Sequence, residues 1–195
     1  MERLVKKYQQ KYKRVRDQMD TWEDLNSRLL SQFGNASSII ERMQVLQNTK
    51  YYGVLTCVPG MKKELLGKQM ESLESFLRAM KTTLNEFDGI VKALEKLWQD
   101  GCQLLKGESK QPTARQMQAR IGIRPSLSDC LEGLRAIHEM HHSEYLLKSS
   151  IIAAISLNSS SADLSAFHRL LADQPNIPRE EVKFIFNIIF AEEIS

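Results

Sequence analysis

MERLVKKYQQKYKRVRDQMDTWEDLNSRLLSQF, residues 1–33, decides the fold. Its apolar side chains stand at Leu4, Tyr8, Tyr12, Val15, Met19, Trp22, Leu25, Leu29 and Phe33. Steps of four and three place them along one stripe of a helix. The stripe lasts about four heptads, and charged residues fill the positions between. A helix this long cannot bury its stripe on itself, so it requires a partner helix. Gly34 and Asn35 predict an end near residue 32. Ser38 and Glu41 read as a capping box for a second helix through Ile40, Met43 and Leu46, unless that helix continues the first after a kink.

The partner is legible further along. Leu66, Met70, Leu73, Leu77, Met80, Leu84, Phe87, Val91, Leu94, Trp98 and Leu105 repeat the same steps, predicting a helix over 61–105. Gly67, Gly89 and Gly101 each weaken it by roughly 1 kcal/mol relative to alanine, and a bend near Gly89 is expected. Between the two lies NTKYYGVLTCVPG, residues 48–60. Gly53, Pro59 and Gly60 make it a loop, whereas Val54, Leu55, Cys57 and Val58 make it an apolar one. Leaving those side chains in water costs about 25 cal/mol per Å² of apolar surface, so the loop must pack inward or dock on a partner.

The expected architecture is therefore all-α, a long antiparallel coiled-coil-like hairpin over 1–105 with an apolar loop at 48–60. Residues 106–125, KGESKQPTARQMQARIGIRP, read as a flexible basic linker with little periodicity. A C-terminal helical module over 126–195 follows. Ser126 with Asp129 resembles a capping box, and Leu127, Leu131, Leu134, Ile137, His141, Tyr145, Ile152 and Ile155 share a face. Asn158 to Ser161 end that helix, and a short one follows with Leu164, Phe167, Leu170 and Leu171. Beyond Pro175 and Pro178 a last helix starts near Arg179, with Glu180 and Glu181 suited to its dipole.

Composition narrows the function. The 195 residues are 42% hydrophobic and 26% charged, with five prolines and nine glycines, as in a folded soluble protein. The net charge is +3, too mild to imply an anionic partner by itself. Three distant cysteines, Cys57, Cys102 and Cys130, with no C-x-x-C, predict reduced thiols and an intracellular address. The polar, basic start predicts no secretory signal. The most apolar run, Val182 to Ala191, contains Lys183 and Asn187 and is too short to span a bilayer, so no membrane role is expected.

Two motifs suggest chemistry. His138-Glu139-Met140-His141-His142 matches H-E-x-x-H, whose histidines share a helical face and can bind zinc beside a glutamate base. A third ligand is missing, however. Tyr145 and Lys148 stand where the extended motif needs glycine and histidine, and His141 lies in the apolar stripe. A zinc hydrolase is thus a remote alternative, and no catalytic residue, metal or cofactor is expected. Lys11-Tyr12-Lys13-Arg14-Val15-Arg16 could bind phosphate, but its alternation with Tyr8, Tyr12 and Val15 favours the solvated face of a coiled coil. Direct nucleic-acid binding is accordingly not expected.

Leu55-Thr56-Cys57-Val58-Pro59-Gly60-Met61-Lys62, followed by Leu65 and Lys68-Gln69, carries a resemblance, as does Arg124-Pro125-Ser126-Leu127 with Leu131, Leu134, Ile137, Tyr145-Leu146, Lys148, Ile151-Ile152 and Ile155. Trp22 and Gln47-Asn48 are weaker echoes. In order and spacing the chain resembles the AIRIM family of ribosome maturation factors, which accompany a AAA+ ATPase of the Drg/SPATA type, from about residue 14 to residue 193. The H-E-x-x-H match is not a feature of that family. The resemblance implies a non-catalytic adaptor, present in cytoplasm and nucleus. It would bind AAA+ ATPase subunits beside a second small helical subunit and act indirectly on large-subunit ribosomal precursors, with a link to replisome protein turnover. A generic coiled-coil scaffold or tethering subunit is the alternative. Candidate partner-binding residues are Trp22, Tyr51, Tyr52, Leu55, Val58, Pro59, Met61, Lys62, Lys68, Gln69 and Tyr145, since aromatic anchors often dominate interfaces. For Trp22 the hairpin core is the favoured role.

Overall fold

A computed structural model describes residues 2–47, 60–107, 112–120 and 122–194. The described residues contain no strand. Seven helices follow in order: α1 (Glu2–Gln47), α2 (Met61–Lys106), α3 (Ala114–Gln118), α4 (Leu127–Ala154), α5 (Ser161–Asp173), α6 (Arg179–Ile189) and α7 (Ala191–Ile194). The long helices α1 and α2 pack on each other as a hairpin. No helix among the described residues is long and apolar enough to cross a membrane.

The stop expected at Gly34-Asn35 does not occur, and α1 runs unbroken through it. Phe33, Ala36, Ile39, Ile40 and Met43 are all buried, so the stripe continues past the glycine in the same three-and-four rhythm. Gly34 keeps an ordinary negative φ. Ser38, free of any capping duty, donates its hydroxyl to the Gly34 carbonyl one turn back at 3.0 Å. Burial of a continuous face outweighs a local stop signal.

By contact the chain forms two compact units. The first comprises residues 1–23, 87–145 and 174–195, the second 24–86 and 146–173. Each draws on both long helices and on residues past 126.

In the first unit, Tyr8 and Tyr12 are fully buried and aim their hydroxyls at backbone carbonyls, Tyr8 to Gly101 at 2.7 Å and Tyr12 to Cys130 at 2.9 Å. Burial holds both phenols well above the usual tyrosine range and pushes the Cys130 thiol up to about 12. Glycines permit these approaches. A Cβ at Gly101 would lie 3.1 Å from Leu134, and one at Gly133 would lie 2.8 Å from Ile185 and collide with the Tyr12 hydroxyl. The α4 start is a reciprocal capping box: Asp129 N–H donates to Ser126 Oγ at 3.0 Å and Ser126 N–H to Asp129 Oδ2 at 2.9 Å. These bonds and Arg120 outweigh partial burial and lower the Asp129 pKa.

Within the stretch expected to be a linker, Thr113 and Gln116 form a second capping box and start the five-residue α3, which buries no residue. Residues 108–111 and 121 lie outside the described residues.

In the second unit, α1 and α2 are joined by Thr83, whose hydroxyl donates to Gln32 at 3.0 Å, and by the exposed Arg28–Glu86 pair. Gln44 Nε2 donates to the carbonyls of Leu157 and Ser159, tying the loop before α5 to α1. Ser160 and Asp163 cap α5 reciprocally.

Candidate partner-binding groove and the histidine cluster

The last turns of α1 and the first turns of α2 leave an open groove in the second unit. It has a volume of about 570 Å³, and Arg42, Val45, Leu46, Leu65 and Gln69 line it with Ser38 and Glu41. Val45 is 50% exposed, and Leu65 and Met61 are each 37% exposed. Exposed large aliphatic side chains are ordinary singly; Val45 and Leu65 together around one concavity mark an interaction surface. Arg42 is steadied by a bond from its Nε to the Ser38 carbonyl at 3.2 Å, which leaves a cation at the groove's edge. Gln69 Oε1 is buried and accepts no hydrogen bond among the described residues, so the wall holds an unused acceptor. The surface can take an apolar side chain and offer a polar contact beside it. Nothing in it resembles a nucleophile with its base.

The expected contact residues divide around this groove. Gln69 lines it, and Met61 and Lys62 occupy the first turn of α2. Lys68 faces solvent and pairs with Glu64 at 3.4 Å. Tyr145, half-buried on α4, is not among the lining residues. Tyr51, Tyr52, Leu55, Val58 and Pro59 lie outside the described residues. Of the two roles open to Trp22, the structure shows the core: it is 1% exposed. Arg42 and Val45 were not singled out by sequence, because Val45 stands off the buried stripe. Its signal was an aliphatic residue beside Leu46, which widens the apolar face at the end of α1.

The H-E-x-x-H histidines sit in the first unit and part company. His141 is 1% exposed, its Nδ1 lies 2.7 Å from the Ile137 carbonyl, and its ring meets Trp22 in T-shaped geometry at a centroid distance of 4.8 Å. His138 is stacked between Trp98 and the exposed His142, at 6.0 and 5.9 Å. No group of three or more histidine, cysteine or acidic side chains is placed to hold a metal among the described residues.

Burial pushes the His141 pKa down from 6.5 to about 4 despite its backbone bond, and burial likewise lowers that of His138. A folded pKa below the unfolded one means that acid favours the unfolded chain. The contribution is complete above pH 6.5 and is lost as pH falls toward about 4. The drop should reach about 3 kcal/mol over that window. Urea midpoints measured across it should decline in the natural protein and flatten in His141→Leu. An equally steep decline in the variant would show that His141 titrates as freely folded as unfolded.

No curated protein matches the chain. A family model described as CA109-like, ribosome biogenesis protein C1orf109-like, matches residues 2–194, nearly the whole sequence and in line with the AIRIM resemblance. A match of that extent settles kinship, and this chain belongs to the C1orf109-like family of ribosome biogenesis proteins.

Proposed function

We propose that this ribosome biogenesis protein works as a non-catalytic adaptor subunit of a AAA+ ATPase complex that matures the large ribosomal subunit. It would act in cytoplasm and nucleus beside a second small helical subunit. The observation that carries the adaptor reading is the groove between the last turns of α1 and the first turns of α2, where Val45 and Leu65 stay in water. The ATPase as its occupant follows from the resemblance in the Leu55–Gln69 segment, whose later residues form the first turns of α2. The hairpin supplies a rigid surface, so recruitment requires no chemistry from this chain.

Affinity purification of the tagged full chain from cells tests this. A AAA+ ATPase and a second small helical protein should co-purify. Val45→Asp should lose them while helicity and melting temperature hold, because a half-exposed side chain contributes only about 0.5 kcal/mol to the fold. Recovery of tethering or cytoskeletal chains alone would favour a generic scaffold and overturn the ATPase assignment. A lowered melting temperature in Val45→Asp would instead make the groove part of the protein's own packing.

A further inference from the structure

The charge of α1 is not spread as a solvated coiled-coil face would spread it. Residues 1–16 hold Arg3, Lys6, Lys7, Lys11, Lys13, Arg14 and Arg16 against Glu2 alone. Glu2 is already engaged by Arg124 at 3.1 Å and Lys6 at 3.6 Å. The apolar residues that interrupt the cations in sequence, Leu4, Tyr8, Tyr12 and Val15, are all buried. The helix therefore sorts the two sets onto different faces. Arg3, Lys7, Lys11 and Arg14, at steps of four, four and three, form a stripe of their own about 16 Å long. Of the acids that follow, Asp20 and Asp24 fall outside that stripe by helical phase, and Asp17, three residues past Arg14, makes no ion pair with it among the described residues.

The stripe is also concave. Lys7, Gln10, Lys11 and Arg14 line a groove of about 170 Å³ closed on the other side by Leu104 of α2. Lys11 is held there by Asp100 at 3.5 Å. Arg3, Lys7 and Arg14 have no acidic partner among the described residues. Arg16 is taken up elsewhere, over the rings of Phe186 and Phe190. Three cations without an acidic partner beside the Lys11–Asp100 pair, with the Gln10 amide between them and no exposed aromatic, suit a phosphate backbone and offer nothing for reading bases.

We propose that the α1 stripe of Arg3, Lys7, Lys11 and Arg14 binds the phosphate backbone of RNA without sequence preference. The sequence alone favoured a merely solvated face; the structure adds the groove that Leu104 closes and three cations with no acidic partner among the described residues. This inference is separate from the adaptor reading and stands or falls without it.

Fluorescence anisotropy of a labelled 20-nucleotide oligouridylate with the full chain tests it. Binding should weaken with salt at a log–log slope of about 2, from ~0.7 counterion per cation over the three cations without an acidic partner. Lys7→Glu with Arg14→Glu should raise Kd by roughly tenfold or more at constant salt. Circular dichroism and the melting temperature should not change. Lys63→Glu with Lys81→Glu, exposed positions on α2 that change net charge equally, should leave binding intact. Absence of binding near physiological salt overturns the proposal, and so does equal weakening by the α2 pair. Displacement of the RNA by polyglutamate at matched charge would reassign the stripe to acidic polypeptides.

Discussion

Trp22→Ala is expected to destabilise the protein by about 3–5 kcal/mol, the range for emptying a buried tryptophan site. The indole packs in T-shaped geometry with the Phe87 ring, at a centroid distance of 4.5 Å, and with the His141 ring, at 4.8 Å. Its Nε1 donates to Gln174 Oε1 at 2.7 Å. That bond matters beyond its own strength. Gln174 follows the end of α5 with a positive φ of 46°, a conformation that costs a non-glycine residue energy, and it is only 5% exposed. Trp22 and the Glu23 carboxylate, which accepts from Gln174 Nε2 at 3.2 Å, fix the side chain of this strained residue. Alanine therefore opens a cavity and orphans a buried amide oxygen together. Trp22→Phe retains most of the ring volume and should cost roughly 1–3 kcal/mol, mainly from the unsatisfied Gln174. Urea denaturation followed by circular dichroism measures both. A loss below about 1 kcal/mol for the alanine variant would mean that the site collapses to fill the void.

The three-and-four spacing made the helices and the hairpin legible, because a periodic apolar face has one way to be buried. The α2 helix ends one residue beyond its expected limit, and the α4 cap forms as Ser126 and Asp129 indicate. The break at Gly34 failed because a local signal worth about 1 kcal/mol competed with four buried side chains, Ala36, Ile39, Ile40 and Met43, on the stripe beyond it. The α3 helix was passed over although Thr113 and Gln116 spell a capping box, since it has no apolar face to announce it. Spacing says which face is turned inward but not what meets it. The stacking of His138 under Trp98 and the groove beside Val45 both depend on contacts between segments remote in sequence, which no periodicity encodes.

Lys148 shows the same limit most sharply, and replacing it should be about as costly as replacing Trp22. Position 148 continues the α4 stripe, seven residues after His141 and four before Ile152, where a lysine reads as an interruption. The structure buries it completely. Its ammonium donates to Asn26 Oδ1 at 2.7 Å and to the Leu171 carbonyl at 3.3 Å. Leu171 lies in the last turn of α5, whose carbonyls have no partner within their own helix. Lys148 thus caps α5 from another helix and places a cation at the negative end of its dipole. Lys148→Ala should cost about 3–5 kcal/mol, because it removes a buried stem and leaves two buried acceptors without this donor. Lys148→Met keeps the volume and isolates the polar loss, so it should still cost about 2 kcal/mol. Adding Asn26→Leu to Lys148→Met should recover part of that loss, since an apolar pair asks for no hydrogen bond, while the Leu171 carbonyl keeps the rescue incomplete. Urea midpoints of the two single variants and the double variant measure the coupling. If the double variant loses the full sum of the two single effects, Asn26 and Lys148 contribute independently, and the stability of α5 does not rest on their bond.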